Sequence, residues 1–555
     1  MNVLAIHEDS NANLALVTER RVVFAVAEER LTRNRFQAGF PDRSLDALER
    51  HTGIRRDQID AVVAGNRYHV HSRLPGVKLP TYEHPFLGLS QKAMLLLQHH
   101  MYAQGVGTRT AEGLSERFLR RRFGREVPLI DHHTAHAYSA YLPSGFAEAT
   151  AITIDNFGDG YSASVFRCRD GRAERLYGSD ALRSPGQFYG EMAQLLGFHP
   201  LLAGKLTALA ALGDSRTLAH EVEPFFGLSA DEKDFELPSL RRSAAYRAAY
   251  RGLQAAKPAN VAAAVQRRFE DVLVPYARRA VRETGIANVV LAGGVFANVA
   301  VNRRIAELPE VTGVYVQPAM SDQGIALGAA LAFLAANQGI RAFDLEHVFL
   351  GPSYTEAELR AAAEASGLSC RRMDDPEDEI AELLARGEGV ARFDGALEFG
   401  PRALGNRSIL WGASDPALPE RLNQALHRAS FMPFAPATLD ERADERYQGL
   451  EKARRTARFM TMAFPCTERL RSESPSVVHV DGTARPQLVT QEHSPAFHRL
   501  LSCYERRTGI PTLLNTSFNL HEEPIVCTPE DALRALAASG LRFLALGPFL
   551  VERTT

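Results

Sequence analysis

A pattern of three short strands separated by polar turns occurs twice in this chain. The first copy has apolar runs at Val3–Ile6, Leu14–Val17 and Val22–Val26. The second has them at Ala149–Ile154, Ser162–Arg167 and Arg172–Tyr177. Short runs of this kind, bounded by polar residues, read as strands. The first turn of each copy is polar: His7-Glu8-Asp9-Ser10-Asn11 in one, Asp155-Asn156-Phe157-Gly158-Asp159-Gly160 in the other. A supersecondary unit used twice predicts a pseudo-symmetric α/β part. Three-stranded meanders are common, so the repeat alone leaves coincidence open.

With 555 residues the chain exceeds one ordinary core. Residues 89–123 read as helical, broken at Gly105 and Gly107. Ala244–Glu283 reads as two helices. The strand Asn288–Ala292 runs into Gly293-Gly294 and then a helix near Ala297. Such a turn lets backbone approach a ligand, and a helix N-terminus favours anions. After Phe349-Leu350-Gly351-Pro352 the pattern changes. Helices are expected at Thr355–Ser366 and Pro376–Arg386, then a strand at Gly389–Phe393. The expected division is 1–348, as two lobes with a helical insert at about 66–125, and 349–555 as one α/β domain.

Charge and composition exclude several classes. The net charge of −2 argues against a protein that coats nucleic acid, which needs an excess of Lys and Arg. The longest nearly unbroken apolar run, about Ile325–Ala336, is short of the ~20 residues that span a bilayer. The chain turns polar at His7 with no basic segment before it, so no signal peptide is expected and the cytoplasm is the expected location. The five cysteines form no C-x-x-C pair, which argues against a thiolate zinc site. Serine-hydrolase, P-loop and dinucleotide fingerprints are absent.

Two segments carry chemistry. In Asp131-His132-His133-Thr134-Ala135-His136, His132 and His136 are four apart. On a helix that spacing puts both imidazoles on one face. Asp155 ends an apolar strand and Asp322 precedes a small-residue helix. Two histidines and two aspartates would form a mixed N/O site suited to iron, manganese or zinc, catalytic rather than structural. The second segment, Arg392 to Ser408, holds Arg392, Glu398, Arg402 and Arg407 among glycines. Guanidinium forks bind phosphate or carboxylate, so an anion pocket is expected, against the alternative of a structural Arg–Glu network. Asn515-Thr516-Ser517-Phe518-Asn519 adds neutral donors and acceptors, and by itself reads as a turn or cap.

Taken together, the chain resembles the O-carbamoyltransferases of the nodulation-factor and antibiotic-tailoring family, essentially end to end. The resemblance is carried by Ala25-Val-Ala-Glu-Glu29-Arg30-Leu-Thr-Arg33, His132–His136, Gly204-Lys205-Leu-Thr-Ala, Leu291-Ala-Gly-Gly294-Val-Phe-Ala-Asn298, Glu398–Ser408, Asn515–Asn519 and Glu523-Pro-Ile-Val. It implies a duplicated actin/sugar-kinase/heat-shock-ATPase-like N-terminal part and a threonylcarbamoyl-adenylate-synthase-like C-terminal domain. In that family carbamoyl phosphate and ATP give carbamoyl adenylate in the C-terminal domain. The N-terminal site then transfers the carbamoyl group to a hydroxyl of a small-molecule natural product.

The resemblance implies a metal, iron(II) first with Mn2+ or Zn2+ as alternatives, at His132, His136, Asp155 and Asp322, with Mg2+ accompanying ATP. It implies His7 as general base and Lys205 at the acceptor. Nucleotide contacts fall on Arg33, Gly158, Gly293, Gly294 and Asn298. Carbamoyl phosphate or adenylate contacts fall on Arg392, Arg402, Arg407, Ser408, Arg428, Arg485, Asn515 and Ser517. The segments 66–125 and 184–205 are the expected acceptor walls. The sequence departs from the family at Met432, where a basic residue is usual, and at Glu522, where glycine is usual. The expected partners are small molecules, with no nucleic acid or membrane, in a monomer or homodimer. Two alternatives remain: a threonylcarbamoyl-type transferase acting on tRNA, which the balanced charge disfavours, and a non-catalytic nucleotide-binding regulator, which the intact His/Asp set disfavours.

Overall fold

The computed structural model describes residues 1–68, 97–237, 244–425 and 428–553. Part of the expected insert at 66–125 and His427 therefore lie outside the described residues. The chain forms two compact units. The first comprises Met1–Val23, Phe36–Asp42 and Ile54–Asp344; the second comprises Phe24–Arg35, Arg43–Gly53 and Leu345–Thr555.

Two five-stranded sheets in the N-terminal part share one plan. The strands of the first are β1 (Val3–His7), β2 (Asn13–Val17), β3 (Val22–Ala27), β4 (Ala61–Gly65) and β5 (Leu129–Ile130). Their order is β3-β2-β1-β4-β5. The strands of the second are β6 (Glu148–Gly158), β7 (Tyr161–Arg169), β8 (Arg172–Asp180), β9 (Asn288–Ala292) and β10 (Gly313–Val316). Their order is β8-β7-β6-β9-β10. In both, the first strand pairs antiparallel with the second and parallel with the fourth. The repeat in the sequence is thus a duplicated α/β fold. Its meanders come from alternating apolar residues and polar turns, and its parallel strands from helical crossovers.

Helix α1 (His132–Tyr141) packs against helix α2 (Ile325–Gln338). Asp131 caps α1 by accepting the Thr134 N–H. The helices meet closely because Gly328 faces Ala135: a Cβ on Gly328 would stand 1.8 Å from the Ala135 carbonyl oxygen. That approach sets the start of α1, which carries both histidines, beside the turn that carries Asp322.

The second unit is built on an eight-stranded mixed sheet. Its strands are β11 (Ser369–Arg372), β12 (Val390–Phe393), β13 (Arg407–Gly412), β14 (Ala435–Leu439), β15 (Gln487–Val489), β16 (Thr512–Ser517), β17 (Phe543–Leu546) and β18 (Phe549–Glu552). Their order is β11-β18-β17-β12-β13-β16-β14-β15. Helices Pro376–Ala385 and Pro495–Thr508 share one apolar core with the sheet, centred on Ile380, Leu410, Phe497 and Leu513. Helices Glu356–Ala365 and Pro529–Ala538 share another, centred on Phe393, Ile409, Leu536 and Leu544.

Candidate functional sites

In the first unit, His132, His136, Asp155 and Asp322 converge, with their ligand atoms all within 4.8 Å of one another. His136 Nε2 is 3.3 Å from Asp155 Oδ2 and 3.7 Å from Asp322 Oδ1, and His132 Nε2 is 3.8 Å from Asp322 Oδ1. Asp155 reaches the cluster because strand β6 loses register between Ile154 and Gly158, which turns the chain out of the ladder. Gly294 N–H donates to Asp155 Oδ2 at 2.8 Å, so the glycine pair after β9 orients a carboxylate of the cluster.

The donor set fits a divalent ion. His132 Nε2, His136 Nε2 and Asp322 Oδ1 are buried and have no hydrogen-bond partner among the described residues. His132 Nδ1 lies 2.7 Å from Asn66 Oδ1, which holds the hydrogen on Nδ1 and leaves the Nε2 lone pair for a ligand. Ser10 Oγ donates to Asp322 Oδ2 at 2.7 Å. Burial works against charge on His136, but Asp155 and Asp322 more than offset it and raise its pKa to about 9. His132, buried beside His136, is held well below the usual range. Asp155 falls to about 2, its burial outweighed by His136.

His7 lies next to this cluster, its ring centroid 6.3 Å from that of His132. It is fully buried, with Nδ1 3.3 Å from the Gly65 carbonyl oxygen and Nε2 3.1 Å from that of Ser10. Gly158 leaves room for His132, since a Cβ there would stand 2.1 Å from the ring. Asn298 caps the helix Val299–Ala306 and bonds Gln266 at 2.9 Å, so its amide is engaged within the fold. Lys205 is part-exposed on the helix Gly204–Ala210. Arg33, expected at the nucleotide, belongs to the second unit. Its terminal nitrogens donate to the carbonyls of Ile525 at 2.7 Å and Pro524 at 2.6 Å and to Glu523 at 3.3 Å.

In the second unit the arginines of the expected pocket separate into two groups. Arg392 is buried and donates to the Gly405 carbonyl and to Asp394 at 2.8 and 2.5 Å. Arg407 is fully buried, donates to the carbonyls of Asp394, Gly395, Asn406 and Pro352, and stacks on Phe393. Ser408 Oγ accepts the Gly405 N–H. Through these bonds the terminal nitrogens of Arg392 and Arg407 and the Ser408 hydroxyl brace the loop, while Arg407 Nε has no hydrogen-bond partner among the described residues. Asn515 donates to Gln487 at 2.8 Å and to the Ala403 carbonyl at 3.3 Å, while its Oδ1 has no partner among the described residues. Ser517 is part-exposed on β16, paired in register with Ser408.

Arg402, Arg428 and Arg485 form the other group. Among the described residues no carboxylate pairs with any of them. Burial lowers Arg402 and Arg428 to about 10. Arg485 is held well below its ordinary value by burial and by the charges of Arg402 and Arg428. Three guanidinium groups that repel one another, with no carboxylate paired to them among the described residues, are chemically suited to an anion. Asn66 and Gln487 were not singled out from the sequence, while Ser10 and Glu398 were named only as parts of the first polar turn and of the Arg392–Ser408 segment. Asn66, which follows an apolar strand, adopts φ +96°.

Comparison with known proteins gives a consistent result. A family model described as the carbamoyltransferase N-terminus matches residues 3–331, and one described as the carbamoyltransferase C-terminus matches residues 381–553. Nodulation protein NolNO of Sinorhizobium fredii is 31% identical over 557 residues, covering 97% of this chain and 78% of its own. An uncharacterised protein of Methanocaldococcus jannaschii is 30% identical over 580 residues, covering 99% of each. Nodulation protein U of Rhizobium tropici is 28% identical, covering 94% of this chain and 91% of its own. Among solved structures, HypF of T. kodakarensis matches 61% of this chain and 48% of its own at 13% identity, with a TM-score of 0.36.

Proposed function

The chain belongs to the carbamoyltransferase family and is a carbamoyltransferase enzyme, and we propose that it is an ATP-dependent O-carbamoyltransferase with two sites. The activation site is in the second unit and the transfer site is in the first. In the first half-reaction carbamoyl phosphate, water and ATP give carbamoyl adenylate, phosphate and pyrophosphate. Carbamoyl is a poor electrophile because its nitrogen lone pair feeds the carbonyl, and adenylation supplies AMP as a leaving group. Arg402, Arg428 and Arg485 bind the phosphate oxygens, and the bound anion supplies the negative charge that the pocket lacks. Asn515 Oδ1 and Ser517 offer neutral polar groups beside them. Mg2+ accompanies ATP as substrate.

In the second half-reaction the acceptor hydroxyl attacks the carbamoyl carbon, the bond to AMP breaks, and the hydroxyl proton leaves with a base. An ion held by His132, His136, Asp155 and Asp322, iron(II) ahead of manganese or zinc, would supply Lewis acidity toward a carbonyl or a nucleotide phosphate. His7 is the proposed base. A neutral imidazole donates to only one of the two carbonyls beside it, so to accept a proton His7 must give up its contact with Ser10 or Gly65. The Gly293-Gly294 turn is the proposed nucleotide contact, and Lys205 meets the acceptor, a hydroxylated small molecule.

The observation that carries the donor chemistry is the group of Arg402, Arg428 and Arg485, which no carboxylate pairs with among the described residues. Its test is isotope exchange between pyrophosphate and ATP, measured without an acceptor. Exchange that requires carbamoyl phosphate is the expected result. A purified, folded protein that shows none would rule out adenylate formation.

A further inference from the structure

The segment Glu28-Glu29-Arg30 lies far before the activation site in the chain, yet it folds with the second unit. None of the functional roles above uses it. Arg30 is buried, 4% exposed, and its Nη2 donates to the Gly400 carbonyl at 2.9 Å. Burial lowers the pKa of its guanidinium, while Glu29, 3.7 Å away, and the charge of Glu398 work the other way.

The target of that bond is the loop that presents Arg402. Side chains from separate elements hold its carbonyls. Asn515 binds the Ala403 oxygen at 3.3 Å, Gln487 the Leu404 oxygen at 2.6 Å, and Arg392 the Gly405 oxygen at 2.8 Å. Glu398 Oε1 accepts the N–H groups of Leu404, Asn406 and Arg407 at 2.8, 2.9 and 3.0 Å. All of these act on the C-terminal side of Arg402. Arg30 acts two residues before it, at Gly400, whose φ of +111° is open to a residue without a side chain. A glycine there is a hinge unless something holds its peptide group. A guanidinium–carbonyl bond out of water is strong enough to do so.

We infer that Arg30 is a positioning residue for the activation site: by fixing the Gly400 carbonyl it sets where Arg402 meets its anion. This rests on the reading of Arg402, Arg428 and Arg485 as the phosphate-binding group. The role predicts an effect on anion affinity in a protein that remains folded.

The test uses the full chain with inorganic phosphate as the probe, titrated calorimetrically in phosphate-free buffer, alongside thermal unfolding. Arg30→Met should weaken phosphate binding by about tenfold or more, the loss expected for a charge-assisted bond. Arg30→Gln, whose amide still donates to a carbonyl, should lie between Arg30→Met and the wild type. The double variant Arg30→Met/Arg402→Ala should bind no more weakly than Arg402→Ala alone, because Arg30 acts through Arg402. Wild-type affinity in Arg30→Met, while Arg402→Ala loses phosphate, would overturn the inference and leave the site standing. Losses that add in the double variant would overturn it too. Wild-type affinity in Arg402→Ala would remove the site itself, and the inference with it. If Arg30→Met does not fold, Arg30→Gln decides: an intermediate affinity supports the role and a wild-type affinity overturns it.

Discussion

Replacing Arg402 with methionine should stabilise the phosphate-free protein and abolish its response to phosphate. Burial holds the Arg402 guanidinium at about 10, well below its ordinary value. At about 1.4 kcal/mol per pH unit, that gap is on the order of 3 kcal/mol against the charged form. Arg402 is part-exposed, so solvent screening brings the figure to about 1–2 kcal/mol. The sign follows from the two states. The unfolded chain keeps its proton to a higher pH than the folded one, which holds it up to about 10. The cost is therefore fully present at every pH below about 10 and is relieved only as pH rises from there toward the ordinary arginine value. At neutral pH, Arg402→Met removes that cost and keeps an unbranched apolar stem in place. The melting temperature without phosphate should rise by a few degrees. The wild type should gain about 2.7 kcal/mol when phosphate reaches a hundred times its dissociation constant, and the variant almost nothing. Differential scanning calorimetry in phosphate-free buffer, repeated across a phosphate titration, reads both. A variant that melts lower than wild type without phosphate, and still gains from phosphate, would refute the reasoning.

Three further outcomes follow from the geometry. A methyl group at Gly158 would stand 2.1 to 2.4 Å from three atoms of the His132 ring, so Gly158→Ala should weaken metal binding by about tenfold or more. Normal metal content by elemental analysis, in a protein with wild-type circular dichroism, would contradict this. Glu522 sits at φ +66°, in the left-handed region that favours glycine, so Glu522→Gly should add up to about 1 kcal/mol of stability in denaturant titration. A clear loss of stability would show that the side chain matters more than the backbone strain. In the metal-free protein His136 is raised to about 9 from 6.5, so its contribution is complete below pH 6.5 and is lost as pH climbs to about 9. The melting temperature should fall across that range while Mn2+ affinity rises, since metal and proton compete for Nε2, and pH-independent Mn2+ binding would argue against the cluster as the metal site.

The duplicated meander was legible because strand alternation and polar turns are local properties. The His132–His136 spacing and the carboxylate at the end of an apolar strand were legible for the same reason. The parallel strands β4, β5 and β10 were not marked, being short apolar runs without alternation. The arginines show where local reading stops. Arg392, Arg402 and Arg407 share one segment and one side-chain type, yet the fold pairs the terminal nitrogens of two and gives those of Arg402 no hydrogen bond among the described residues. That difference depends on where Asp394, Phe393 and Pro352 lie, which no spacing reveals. Arg33 and Arg30 are a second case. Their motif was legible, but the carbonyls that they hold are hundreds of residues away in sequence.

The central claim is that activation and transfer are separate reactions at separate residues. It is tested most directly by measuring pyrophosphate formation from ATP and carbamoyl phosphate, without an acceptor, in two variants. Asp322→Ala should form pyrophosphate at a rate close to wild type, since Asp322 belongs to the His/Asp cluster. Arg402→Ala should form almost none. Loss of pyrophosphate formation in a folded Asp322→Ala protein, or its persistence at the wild-type rate in Arg402→Ala, would contradict the account.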